Sequence, residues 1–312
     1  MKPNKTILAW QPVYFFAAIF ALIGYVPIAR VQSVSSFSTQ TPTNPNIEKH
    51  FMVDRGDIHI EVIAQGSGPA IVILPSLGRG AEDYGFVAEL LAREGFRVLR
   101  PQPRGIGKST GPMANLTLHD FAADVAAVIE NEGKGTAIVV GHAYGHFVTR
   151  MLATDRPDLV RGAVLAAASA GRFQMAFTNP LFRRKFAKLL KRVEICHCRR
   201  LGGSTICNLR SLPQGTTHTY GSRDGTPETE KAENTASRAT PVDEWFACGT
   251  TRVLDLQAEN DAVAPRKFAS VLKAALGERV TVVVIPNAGH ALVPEQPQAM
   301  ASAIAAFART LK

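Results

Sequence analysis

The 312-residue chain contains only four cysteines, and their spacing does not favour a metal site. Cys196, Cys198 and Cys207 lie close together in the sequence, whereas Cys248 stands apart. Structural zinc sites usually separate paired cysteines by two to four residues, and the C-x-C pair lacks that spacing. We therefore expect neither a metal nor another cofactor. In an oxidising compartment the cysteines could form disulfides, but their pairing stays open.

A net excess of positive charge is lacking outside one segment. The formal net charge is +9, but residues 172–212 contain ten Lys or Arg and a single Glu, so this segment alone accounts for the excess. A protein that binds nucleic acid usually presents its basic residues along a face or stripe. The distribution therefore gives no indication of a nucleic-acid partner.

Charged residues are absent from positions 6–29. Lys2 and Lys5 precede this stretch, which includes the apolar segment 14–23 (YFFAAIFALI). A cleaved signal has an apolar region of about 7 to 15 residues, whereas a spanning helix needs about 20, and this stretch lies between these limits. We predict that residues 1–35 form a signal peptide or a membrane anchor. The protein is then exported, either periplasmic or secreted, or anchored to the membrane.

The residues after this segment are polar. Residues 33–35 (SVS) offer a weak cleavage site of the small-x-small type, and the stretch through residue 46 contains Ser, Thr, Asn and Pro. Such a composition buries too little apolar surface to fold by itself. We predict a linker over residues 36–54 and a folded domain over residues 55–312.

From residue 57 onward, short apolar runs alternate with helical patterns. Residues 70–74 (AIVIL) are a continuous apolar run, typical of a strand buried on both faces. Further strands are predicted at 58–64, 96–99, 136–140, 163–168, 252–256 and 280–285, and helices at 81–93, 117–129, 144–154, 265–276 and 294–311. This order predicts an α/β fold with a mostly parallel sheet flanked by helices.

A sharp turn is predicted between the strand at 136–140 and the helix that follows it. Residues 141–145 read GHAYG, and glycines at the first and fifth positions let the backbone approach closely and the helix pack on the strand. In such a turn the central residue projects above the sheet. Here that residue is Ala143, which has no atom able to attack a carbonyl.

The chain resembles the α/β-hydrolase fold superfamily over roughly residues 55–312. The matching stretches are 104–109 (RGIGKS), 141–145 (GHAYG), 257–261 (QAEND) and 287–290 (NAGH), with a partial match at 75–78 (PSLG), where many members carry His-Gly in place of Pro-Ser. In this superfamily the segment after the fourth buried strand often forms a helical lid.

The resemblance implies a nucleophile, an acid and a histidine in that chain order, at Ala143, Asp261 and His290. Asp261 would orient the His290 imidazole and stabilise its protonated form. Backbone amides of Tyr144 and Leu77 would form an oxyanion site, which needs no side chain at position 143. Asp255 and Glu259 are alternative candidates for the acid. His142 and His146, which flank the turn residue, are expected to pack or form hydrogen bonds rather than to catalyse.

The lid region departs from the surrounding pattern. We predict an inserted lid at about residues 171–245, but residues 193–226 lack the periodic apolar face that a helical lid requires. Two explanations stay open: a genuine but variable lid, or a segment translated from a shifted reading frame, which the coding DNA would reveal.

Ala143 excludes an acyl-enzyme through that position. Three explanations stay open: an engineered serine-to-alanine variant, a natural enzyme without covalent catalysis, and a binding protein that kept the fold. Ser76 is a further, less favoured nucleophile. We expect an exported hydrolase-class enzyme that uses a His290–Asp261 dyad on a small ester, amide or other carbonyl compound. The alternative is a non-catalytic ligand-binding protein, a pseudoenzyme, of the same fold.

Overall fold

A computed structural model describes residues 47–132, 135–169, 225–266 and 270–311, together with the backbone of two short strands between residues 198 and 207. The predicted signal peptide or anchor, and most of the predicted lid, lie outside the described residues. Among the helices that are described, none combines the length and apolar character that a membrane crossing requires.

Eight strands form the central sheet, in the order β1-β2-β4-β3-β5-β6-β9-β10. All strands except β2 run parallel to one another, because β2 pairs antiparallel with both β1 and β4. The strands are β1 Lys49–Arg55, β2 Ile58–Gln65, β3 Ala70–Leu74, β4 Arg97–Pro101, β5 Ala137–His142, β6 Val160–Ala166, β9 Val253–Ala258 and β10 Val280–Ile285. A separate antiparallel pair consists of β7 Cys198–Leu201 and β8 Ser204–Cys207.

Helices cover both faces of the sheet. They are α1 Gly85–Arg93, α2 Leu118–Glu132, α3 Gly145–Asp155, α4 Pro227–Ala239, α5 Val242–Trp245, α6 Ser270–Leu276, α7 Leu292–Glu295 and α8 Pro297–Thr310. Apolar residues of α2 and α3 join the core on one face, and those of α1 and α8 join the core on the other. Because both faces are covered, the central strands are buried along their whole length, and the predicted α/β class is confirmed.

The first strand corrects the sequence prediction. Residues 49–54 were expected to belong to a linker, but they form most of β1. Only Val53 of this strand is buried. Because the other side chains are exposed or half-buried, the segment lacks the apolar run that marks a buried strand. Seven consecutive residue pairs with β2 hold it at the edge of the sheet. The backbone N–H and C=O groups along the edge of β2 need hydrogen-bond partners, and β1 supplies them. The composition of residues 49–54 does not reveal this pairing.

The turn between β5 and α3 leaves no space for side chains at its two glycines. A Cβ atom added to Gly141 would lie 2.3 Å from the Gly145 carbonyl oxygen, and one added to Gly145 would lie 2.5 Å from the Leu74 carbonyl oxygen. Between them, Ala143 has φ +46°, a left-handed conformation that costs a non-glycine residue on the order of 1 kcal/mol or more. The tight packing of both glycines therefore holds Ala143 in this strained position.

Substituting Gly145→Ala should destabilise the protein by about 1–3 kcal/mol, because the new methyl group would collide with backbone atoms of the β3 loop. Gly85→Ala is the matched control, since its added Cβ would meet only the ends of two side chains, Arg100 at 3.3 Å and Glu48 at 3.9 Å. Urea denaturation of the three proteins measures the difference. Equal midpoints for Gly145→Ala and the parent would contradict the packing argument.

Candidate functional site

Asp261 and His290 meet at the carboxyl end of the sheet. Asp261 follows β9 and His290 lies in the loop after β10, and these two strands are parallel neighbours. His290 Nδ1 lies 2.9 Å from Asp261 Oδ2 and 3.1 Å from Asp261 Oδ1. Since an ionised carboxylate only accepts, the proton of this bond belongs to Nδ1 and leaves Nε2 unprotonated in the neutral ring.

The loop after β9 holds the Asp261 carboxylate in its charged form. Oδ1 accepts the backbone amides of Val263 and Ala264, at 2.8 Å and 2.7 Å. Burial by itself would raise the pKa of Asp261, but the hydrogen bond and the charge of His290, together with the two amides, lower that pKa below its ordinary value. The carboxylate is therefore ionised at neutral pH.

The two rival acids have other partners. Asp255 accepts a hydrogen bond from the Gln257 side chain at 2.8 Å, and burial raises the pKa of its carboxyl group to about 6. Glu259 accepts the Asn287 amide at 2.9 Å. Of the three acids considered from the sequence, Asp261 is the one hydrogen-bonded to His290.

His290 lies beside the β5–α3 turn. Its backbone carbonyl accepts a hydrogen bond from His142 Nε2 at 2.9 Å, and the centroids of the two rings are 6.0 Å apart. The His290 side chain is 23% exposed, whereas the Asp261 side chain is 1% exposed. The imidazole is thus open to a small molecule while its carboxylate partner is enclosed.

The two amides predicted for an oxyanion site belong to adjacent segments. Tyr144 follows Ala143 in the turn, and Leu77 belongs to the loop after β3, the neighbour of β5 in the sheet. The turn contacts this loop directly at Gly145. Within the described part of the chain, neither amide has a hydrogen-bond acceptor.

His146 is a packing residue. Its Nε2 lies 3.1 Å from Ser169 Oγ, and its ring packs against Phe147 and Trp245. Burial, followed by the charge of Arg150, lowers the pKa of His146 well below its ordinary value, so the ring is neutral.

Sequence reasoning missed Glu233, which lies on α4 and is only 1% exposed. Its Oε2 atom accepts the backbone amide of Gly78 at 2.7 Å. Burial raises the pKa of this carboxyl group to about 8, although the Gly78 amide opposes the shift. A signal was present in the sequence: Glu233 shares the buried face of α4 with small residues, namely Thr229, Ala232 and Ala236.

Glu233 lines a pocket beside the turn. The pocket has an empty volume of about 440 Å³, part of it open solvent, and its wall is mostly apolar, with Leu74, Phe121 and Val148 among the lining residues. Tyr144 lines it too, and the buried Tyr144 hydroxyl has no hydrogen-bond partner among the described residues. An apolar pocket with a few polar groups is typical of a small-molecule site.

Glu233 should make stability depend on pH. The unfolded chain loses this proton near pH 4.5, whereas the folded protein keeps it up to about pH 8. The free energy of unfolding should therefore fall as pH rises through this window. In Glu233→Gln, which can still accept the Gly78 amide, this fall should shrink by an amount on the order of a few kcal/mol.

Urea denaturation at pH 5, 7 and 9 measures this effect. Glu228→Gln, an exposed glutamate of the same helix, is the control and should leave the pH dependence unchanged. If the stability difference between Glu233→Gln and the parent is the same at all three pH values, the buried carboxyl group does not titrate as described.

Comparisons with known proteins identify the family to which this fold belongs. A sequence profile described as "Alpha/beta hydrolase family" matches residues 71–303. Fluoroacetate dehalogenase of a Burkholderia species is 32% identical over 114 residues, which are 35% of this chain and 37% of that protein. RutD of Variovorax paradoxus, whose name assigns it to carbamate hydrolysis, is 26% identical over 245 residues, 75% of this chain and 89% of that protein.

A solved structure shows the same fold. The esterase EaEST of Exiguobacterium antarcticum superposes with a TM-score of 0.63 at 18% identity, over 84% of this chain and 100% of the esterase. The family profile covers well over half of the sequence, and the relatives' names describe hydrolytic and dehalogenating enzymes. The chain belongs to the alpha/beta hydrolase family.

Proposed function

We propose that this protein hydrolyses a small ester, amide or related carbonyl compound without forming an acyl-enzyme, and that His290 and Asp261 supply the general base. The hydrogen bond between His290 Nδ1 and the buried Asp261 carboxylate carries this proposal. It fixes the tautomer in which Nε2 accepts a proton. A positioned base of this kind contributes about 10²- to 10⁴-fold to a reaction rate.

The reaction then needs no side chain at position 143. His290 Nε2 takes a proton from water while the water oxygen bonds to the substrate carbonyl carbon, and the C=O electron pair moves to the oxygen. The amides of Tyr144 and Leu77 stabilise this oxyanion. When the tetrahedral intermediate collapses, the bond to the leaving alkoxide or amine breaks, and the leaving group takes the proton from the imidazolium.

The pocket beside Tyr144 supports a small substrate. His290 is not among the lining residues, so a substrate would keep its reacting carbonyl outside this pocket and bury its apolar, non-reacting part against Leu74, Phe121 and Val148. The uncharged stretch at residues 6–29 supports export, so we infer that this chemistry takes place outside the cytoplasm or at a membrane surface.

Ala143 favours a second candidate function. A methyl group at the centre of the turn cannot act as a nucleophile, and a protein that only binds a ligand could keep the same pocket and the same pair of backbone donors. Such a protein would retain affinity for small carbonyl compounds without converting them.

Substituting His290→Ala should lower ester turnover by about 10²- to 10⁴-fold, because the base is removed while the amide donors stay in place. His59→Ala is the control: this exposed histidine also lies within hydrogen-bond distance of an aspartate, at 2.6 Å, and should have no effect. Initial rates on short-chain nitrophenyl esters provide the measurement. Undiminished turnover in His290→Ala would overturn the dyad.

Restoring a nucleophile distinguishes the two candidates. Ala143→Ser should add a burst of product and labelling by a fluorophosphonate, because a serine hydroxyl beside His290 can form an acyl-enzyme. The parent should turn over ester without a burst and should not be labelled. Activity that appears only in Ala143→Ser would support the ligand-binding protein, and labelling of the parent at Ser76 would contradict both candidates.

A further inference from the structure

Three hydrogen bonds connect the loop after β3 with the loop that carries His290. The Ser76 backbone amide donates to the Tyr84 hydroxyl at 2.9 Å. The same hydroxyl lies 2.8 Å from His142 Nδ1. His142 Nε2, on the other side of the ring, lies 2.9 Å from the His290 carbonyl oxygen. The imidazole of His142 therefore bridges two loops that are far apart in the sequence.

The two ends of this series fix the directions of the outer bonds, and a neutral His142 ring then fixes that of the central bond. An amide N–H can only donate and a carbonyl oxygen can only accept. His142 Nε2 must therefore carry a hydrogen for the His290 carbonyl. The Tyr84 hydroxyl accepts from Ser76 and donates its own hydrogen to His142 Nδ1. Of the two neutral tautomers of His142, the one with hydrogen on Nε2 satisfies all three bonds.

The surroundings keep His142 in that neutral form. The ring is 2% exposed, and Tyr84 is fully buried. Burial, followed by the positive charge of protonated His290, lowers the pKa of His142 to about 4. Arg79 acts in the same direction, whereas Asp261 and the bond to the His290 carbonyl act against it. A second proton, on Nδ1, would also turn this nitrogen into a donor, so the Tyr84 hydroxyl could no longer donate to it.

We propose that His142 is a positioning residue that holds the His290 loop and the Leu77 loop in one fixed relation, through its neutral ring with hydrogen on Nε2. This inference rests on the proposed function, in which His290 supplies the base and Leu77 an oxyanion donor. The His290 imidazole must face the attacking water while the Leu77 amide faces the carbonyl oxygen of the substrate. A small shift of either loop would therefore misplace one of these groups relative to the other. A misplacement of about 1 Å can cost about 100-fold in rate.

The protonation state of His142 can be measured without any catalysis. In the full-length chain labelled with ¹⁵N-histidine, nitrogen–proton correlation spectra distinguish the two neutral tautomers from the charged ring. The signal that disappears in His142→Gln belongs to His142. It should show hydrogen on Nε2 and no titration between pH 5.5 and 8. Hydrogen on Nδ1, or titration in that range, would overturn the proposal.

Variants of the bridge separate positioning from folding. His142→Leu removes both hydrogen bonds at similar volume, whereas His142→Gln keeps one donor and one acceptor. In His142→Leu, kcat should fall by about 10- to 100-fold with little change in KM, and His142→Gln should recover most of it. Equal losses in both variants, or a loss confined to KM, would contradict a positioning role.

Tyr84→Phe cuts the bridge on one side only. It should shift the Ser76 amide signal strongly and the His290 ring signals weakly, whereas His142→Leu should shift both. Because these signals do not depend on turnover, they test the bridge even if neither the parent nor Ala143→Ser hydrolyses an ester. In that case the proposed function is contradicted, while the expected shifts of the Ser76 and His290 signals would still support the hydrogen-bonded bridge. Unchanged Ser76 and His290 signals in His142→Leu would overturn the bridge itself.

Discussion

The close contact between the β5–α3 turn and the loop after β3 is the constraint on which the site depends. No Cβ fits at Gly141 or Gly145, because backbone atoms already occupy the space that it would need. This packing holds Ala143 at a positive φ and brings the Tyr144 amide to the same edge of the sheet as the Leu77 amide. The oxyanion donors that we propose are backbone groups, so they do not require a nucleophilic side chain at position 143.

Burial and hydrogen bonding decide the charge of three groups around the site, of which one is ionised and two are neutral. Asp261 is ionised because His290 and two amides stabilise its negative charge. His142 is neutral because its ring is enclosed and lies near another histidine. Glu233 stays protonated up to about pH 8 because only one amide compensates for its burial. The site therefore combines the ionised Asp261 carboxylate, the neutral His142 ring and the protonated, buried Glu233 carboxyl group.

Much of the fold was predictable because buried parallel strands have a strong signal in the sequence. The strands at 70–74 and 280–285 were predicted with the bounds that the structure gives them. Prediction failed at β1, whose residues are mostly exposed and whose order comes from pairing with β2. Local composition predicts which segments are buried, but it does not predict that a distant segment will supply the backbone hydrogen-bond partner of an exposed strand.

The sequence by itself determined the order of the buried strands of the sheet and of the helices between them, the glycine turn and the alanine at position 143. It also supplied three candidate acids near the histidine. The resemblance had assigned the acid to Asp261, but only the tertiary structure shows its hydrogen bond to His290, joins His142 to Tyr84 and His290, and places Glu233 against Gly78. The physical reason is that these contacts join residues 29 to 155 positions apart, so they depend on how the elements pack and leave no periodic trace in the chain.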